Sequence, residues 1–156
     1  MIFNDVYEKL ESYYNSQEIE EYINKRRISS KKVNYEYIKG DYNTSLPIPK
    51  NYFDLLISQY AGFIAQPCAK YLKKGGILVA NDSHGDASMV NLLPEYKLIA
   101  IIKRRGKKFS HSQRNLESYF IPKKKQEISI EKIKKLGKGI PYTKYVSNYV
   151  FRKIFN

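Results

Sequence analysis

The stretch from Tyr52 to Gly85, YFDLLISQYAGFIAQPCAKYLKKGGILVANDSHG, constrains the fold of this chain more than any other. Phe53 to Ile57 is a short apolar run holding one acid, and polar Ser58, Gln59 and Tyr60 follow it. From Ile64 to Leu72 the apolar residues fall at helical spacing, with Pro67 early enough for a first turn. Lys73-Lys74-Gly75-Gly76 then reads as a helix end, two cations at the negative pole and two glycines beyond. Ile77 to Ala80 is a continuous apolar run of the kind found in strands buried on both faces. Two such strands joined by a helix make a right-handed βαβ unit. Ligands of these sheets sit at the carboxyl ends of the strands. That puts Ser58 to Gly62 and Asn81 to Asp86 at one rim.

The same residues carry a resemblance. FDLLIS followed by YLKKGGILVAND resembles the fourth and fifth strands of the class I S-adenosylmethionine (SAM)-dependent methyltransferases. Upstream, Tyr37 to Asp41 is similar to the third strand with its terminal Gly-Asp. Downstream, Tyr96–Lys103 and Glu117–Pro122 resemble the closing antiparallel pair, and Gly139 to Lys153 a last segment on that edge. The resemblance spans roughly residues 34 to 153. It implies an α/β protein with a Rossmann-like sheet, mostly parallel with an antiparallel C-terminal edge, preceded by N-terminal helices. It also implies methyl transfer from SAM.

One part of the family pattern is missing. Those enzymes hold SAM on a glycine-rich loop after the first strand, near an acid ending the second. Here Gly40 is the first glycine, and residues 1 to 33 contain no apolar strand run ending in glycine. The sheet is therefore expected to be truncated at its cofactor side. A non-catalytic methyltransferase-like protein that binds nucleic acid or a partner subunit is the alternative reading.

Two segments are expected. Residues 1–32 form a helical lead-in, and 33–156 a single methyltransferase-like unit. In the lead-in, Asn4 or Asp5 can cap a helix with Val6, Leu10, Tyr13 and Tyr14 on one stripe. Ser16 can start a second, with Ile19, Tyr22 and Ile23 as its apolar face. Val33 to Ile38 alternates and should be a strand. Beyond the βαβ unit come a short helix at Met89–Leu93, a strand at Tyr96–Ile102 and a long polar loop from Arg104 to Leu116. A strand at Glu117–Ile121, a helix at Ile128–Leu136 and a final strand at Tyr145–Ile154 complete the reading.

The chain's 156 residues and 42% hydrophobic content allow a real core. No run of about 18 apolar residues occurs, so no transmembrane helix and no membrane partner are expected. MIFNDVYEKLE lacks the features of a signal peptide, and the chain fits a cytoplasmic protein. The single cysteine, Cys68, excludes a disulfide framework and a thiolate metal site, and it reads as a helix-buried thiol. Net charge is +13, from 28 Lys+Arg against 15 Asp+Glu. The excess is clustered at Lys25–Lys32, Lys103–Lys108, Lys123–Lys125 and Lys132–Lys138. Such clusters beside abundant tyrosine suit phosphate contact and base stacking. They also suit a plain solvated lysine surface.

At the rim, Gly40, Asp41, Ser58 and Gln59 occupy positions where the resemblance implies cofactor contacts. Asp41 also fits a simple turn acid. Tyr60 and His84 are the candidate catalytic residues. His84 is the one rim side chain whose ordinary pKa suits a base near neutrality, and it equally fits a loop histidine. Asn81 and Ser83, with Lys103, Arg104 and Arg105, are candidate substrate contacts. The Asn/Asp-Pro-Pro-aromatic box of amino-methylating enzymes is absent. Pro67-Cys68 lies too far into its helix to serve as a cytosine-C5 nucleophile. Asp82, His84 and Asp86 are too few and too local to assign a metal. Without a first strand, either Val33–Ile38 pairs with Phe53–Ile57 or an edge stays open, which suggests a homodimer or a complementing subunit.

Overall fold

In a computed structural model, which describes residues 1 to 155, the chain opens with a strand, Ile2–Asp5 (β1), where the helical reading began. Its partner is Glu36–Lys39 (β2), paired in parallel with Phe3 opposite Tyr37. Between them lie two helices, Lys9–Tyr14 (α1) and Gln17–Arg26 (α2). The Tyr14 ring stacks on Phe3 at 4.3 Å and on Tyr37 at 5.3 Å, so one α1 side chain ties together two rings that are neighbours in the β register. Asn4 does not cap a helix. Its Nδ2 donates to the carbonyls of Ile38 (2.8 Å) and Gly40 (3.0 Å), fastening β1 to the end of β2. Ser16 does cap α2, its Oγ accepting from the Ile19 N–H at 3.4 Å. Glu18 and Glu20 in the first turn of α2, with Lys25 and Arg26 in its last, complement the helix dipole.

These elements form one compact unit, Met1–Pro47, and the second runs Ile48–Asn156. The division therefore falls after Pro47 rather than after residue 32. The strand expected at Val33–Ile38 belongs to the first unit and pairs with β1, not with Phe53–Ile57.

The second unit begins with Phe53–Ser58 (β3), followed by Ala65–Cys68 (α3), a 3₁₀ turn at Ala69–Tyr71 and Leu72–Ala80 (β4). The strands β3 and β4 are parallel, as the βαβ reading requires. The helix is much shorter than the spacing from Ile64 to Leu72 suggested. The carbonyls from Ala69 to Leu72, beyond the helix, are taken by other groups. Asn51 N–H donates to Lys70 O and Tyr52 N–H to Tyr71 O, both at 2.9 Å. Lys153 Nζ donates to Ala69 O and Leu72 O, both at 2.8 Å. Lys73 to Gly76 do not end a helix. They bulge within β4, between the pairs Phe53–Leu72 and Leu55–Ile77, with Gly75 at φ 80°. Cys68 is buried, and burial pushes its thiol up to about 11.

Asp86–Val90 (α4) leads to Tyr96–Arg105 (β5), then Lys108–Ser112 (β6), a 3₁₀ turn at Leu116–Phe120, Ile130–Leu136 (α5) and Asn148–Lys153 (β7). The stretch expected to be a polar loop is thus largely a hairpin, joined by Gly106-Lys107 with Gly106 at φ 61°. The expected strand at Glu117–Ile121 is the 3₁₀ turn, because Asn115 adopts φ 50° and its carbonyl accepts from Ser118 N–H at 3.2 Å.

The sheet order is β3-β4-β7-β5-β6. Only β3–β4 is parallel; β7 is antiparallel to both β4 and β5, and β6 to β5. The sheet is therefore mixed rather than mostly parallel. The final strand is central, not packed on an edge. Leu78, Ala80, Tyr149, Phe151 and Ile101 alternate onto one face and pack with Ala87 and Val90 of α4 as the core. Leu55 and Ile57, on the other parity of β3, are exposed, and among the described residues β3 has no strand on its outer side. No helix among the described residues is long and apolar enough to cross a membrane.

Candidate functional site

Both β4 and β5 run antiparallel to β7, so β3, β4 and β5 all end on one rim. Ser58, Ala80, Tyr149 and Ile101 form one row across the sheet just below that rim. Above it lies a cleft of about 470 Å³. Its walls are Tyr60 after β3, Asn81 to Ser83 after β4, Lys123, and the segment Lys138–Tyr149 leading into β7.

Asp82 anchors one wall. Its Oδ1 accepts from Ser88 N–H and its Oδ2 from Ser88 Oγ, both at 2.7 Å. The Ser88 hydroxyl also meets the Tyr142 hydroxyl at 2.8 Å. Burial raises the Asp82 carboxyl to about 6, even though bonds from Ser88 and the Ile140 N–H favour its charged form. Burial likewise raises Tyr142 to about 12. The backbone of Gly139 lies flat against this group. A side chain there would collide with the Asp82 carbonyl and carboxylate, so only glycine fits. Gly85, at φ 96° and with no room for a Cβ beside Ile133, turns the loop into α4.

Below the loop, Asp86 is buried. It accepts from Ser58 Oγ at 2.6 Å and Ala65 N–H at 3.2 Å. Burial raises it to about 6, and the Asp82 charge adds to the shift. Ser58 is thus buried, and its hydroxyl ties β3 to α4. Asp82 and Asp86 bond to separate partners.

Asn81 organises the opposite wall. Its Oδ1 accepts from Ser83 Oγ (2.9 Å), Ser83 N–H (3.3 Å) and Tyr60 N–H (3.5 Å), and its Nδ2 donates to Gln59 Oε1 at 3.4 Å. Gln59 is therefore held inward. Tyr60 adopts φ 55° and is 75% exposed at the cleft. Tyr145, across the lining, is 85% exposed.

The remaining expected residues fall elsewhere. His84 is exposed, with Nδ1 3.0 Å from Ser83 Oγ, and does not line the cleft. Gly40 and Asp41 belong to the first unit. Asp41 Oδ1 accepts from Asn43 N–H (2.8 Å) and Nδ2 (2.9 Å), and its carbonyl from Thr44 N–H (2.9 Å). It is built into a turn. Lys103, Arg104 and Arg105 close β5 on the surface. Lys103 Nζ sits 5.2 Å from the Tyr119 ring centre and Lys144 Nζ 5.1 Å, so the hairpin base and the cleft wall share one aromatic ring. Arg104 N–H donates to Ser147 Oγ at 3.0 Å, and Ser147 lines the cleft.

Ion pairs among the described residues involve Lys32, Lys39 and Lys73. None neutralises Lys103, Lys123, Lys138 or Lys144. Of these, Lys123, Lys138 and Lys144, with Tyr142, Tyr145 and Gly139, line the cleft without having been singled out from sequence as site residues. Gly139 in Lys138-Gly139-Ile140-Pro141-Tyr142 was the one available signal, a glycine ahead of a fixed turn.

No family model matches the chain, and no curated protein matches it. Among solved structures, the crystal structure of the PH0226 protein from Pyrococcus horikoshii OT3 is similar, with a TM-score of 0.43 and 13% identity over 98% of this chain and 70% of that one.

Proposed function

We propose that this chain is a methyltransferase-like protein that binds nucleic acid at the rim cleft. The observation that carries the reading is the company kept there. The ends of β3 and β4 meet Lys123, Lys138 and Lys144, unneutralised by any described carboxylate, and two exposed tyrosines. Cations hold phosphates and aromatic rings hold bases. The parallel β3–β4 order with a helix between supports the methyltransferase likeness; the absent glycine loop favours binding over catalysis. Anisotropy of a labelled oligonucleotide at low and high salt tests it. Affinity should fall steeply with salt. No binding at low salt would remove the reading.

A second reading, methyl transfer from SAM to such an acceptor, is favoured by Asp82, a carboxyl that lines the cleft and that burial raises to about 6. Its test is calorimetry with SAM and S-adenosylhomocysteine. Saturable micromolar binding supports it, and no heat at millimolar ligand excludes it. The open side of β3 adds the proposal of a homodimer, since two copies of one edge can pair about a two-fold axis. Sedimentation equilibrium decides between dimer and monomer.

A further inference from the structure

Resting on the nucleic-acid reading, we infer that the ligand is single-stranded. One unstacked nucleotide enters the cleft against Tyr60 and Tyr145, and its flanking phosphates lie on Lys144 and Lys103.

Three observations lead there. The first is the tyrosines. Exposed rings on the wall of a concave site can stack only on a base that has left its duplex, because paired bases show their faces to one another. Tyr60 has a left-handed backbone at φ 55°, its N–H donates to the buried Asn81 Oδ1 at 3.5 Å, and its side chain is 75% exposed. The second is size. A cleft of about 470 Å³ is in the range that takes a single nucleotide-sized ligand. The third is the path of charge. Lys144 on the cleft wall and Lys103 at the base of the hairpin both approach Tyr119; Lys144 Nζ also donates to Ser118 Oγ at 2.7 Å, and neither lysine is in an ion pair among the described residues. Two ammonium groups near one ring, neither in an ion pair among the described residues, are cations that a phosphate can meet. From there Arg104, Arg105, Lys107 and Lys108 continue the track along the hairpin, where Phe109 is 65% exposed. The lining is polar as well, with Asn81, Asp82 and Ser83 beside the tyrosines.

The experiment measures anisotropy of labelled uridine and thymidine ten-nucleotide strands and of a mixed-sequence duplex of equal length. It uses the full chain and its Tyr60→Ala, Tyr145→Ala and Lys144→Gln variants. All three side chains are exposed, so the variants fold. At least one single strand should bind about tenfold or more tightly than the duplex. Each tyrosine variant should weaken that strand at least about fivefold and leave the duplex unchanged. Lys144→Gln should lower the salt slope by about 0.7. Equal affinity for strand and duplex, with tyrosine variants silent, overturns the single-strand inference while nucleic-acid binding stands. Absence of any binding at low salt overturns both.

Discussion

At the scale of single residues, three buried ionisable groups set how the second unit responds to pH and substitution. Asp82 and Asp86 both titrate to about 6, above the 3.8 of an unfolded aspartate. The folded state therefore binds more protons than the unfolded one between those values. The contribution of these two carboxyls to stability is greatest below about pH 4, falls as pH rises toward 6, and is level beyond. For Asp86 alone the loss is on the order of 2–3 kcal/mol. In Asp86→Asn the amide oxygen can still accept from Ala65 N–H while Nδ2 donates to Ser58 Oγ in a reversed bond, and the charge is gone. Its urea midpoint should therefore vary less between pH 4.5 and 7 (roughly, by the linkage relation) than that of the parent. Lys153 is the third group. Its ammonium caps the last carbonyls of the α3 region from the far end of the chain, and burial lowers its pKa. Lys153→Met keeps the stem but leaves those carbonyls bare. We expect a loss of about 2–3 kcal/mol in denaturant titration. Gly139→Ala should displace the Asp82 wall and weaken cleft binding more than it lowers the melting temperature.

At the scale of elements, legibility followed how local the determining contacts are. The strands β3 and β4 were readable because each is an apolar run bounded by its own turn signals. Ser16 was readable as a cap because its partner is three residues away. The strand β1 was not, since its pairing partner lies past two helices. The hairpin strand β6, KFSHS, has no apolar alternation, and its order comes from extension of β5. Gly106 at the hairpin turn makes a direct test. Gly106→Ala meets the left-handed penalty of about 1–2 kcal/mol and should broaden the hairpin amides in NMR spectra while sparing those of β7. The site divides the same way. Tyr60, Asn81 and Ser83 follow from the rule that ligands sit at strand ends. Lys123, Lys138 and Lys144 arrive from distant segments, and only the packed structure gathers them.

At the scale of the whole molecule, the two units differ in how much they can bury. The first holds Ile19, Ile38 and Leu46 as its buried apolar side chains, while the second has two buried clusters. A fragment of residues 48–156 should give dispersed amide NMR signals and a cooperative melt. Residues 1–47 alone should not, being near the size below which a core seldom suffices. The place of β7 has a further consequence. The strand at the middle of the sheet is made after every other strand of its unit. Until Asn148–Lys153 emerges, β4 and β5 have no common neighbour, and each presents an unsatisfied backbone edge. The unit then closes late and all at once, like an arch waiting for its keystone. During synthesis its nascent chain is exposed to association for longer than a sheet built strand by strand. A stop codon before residue 148 would remove the one strand that joins the two halves of the sheet.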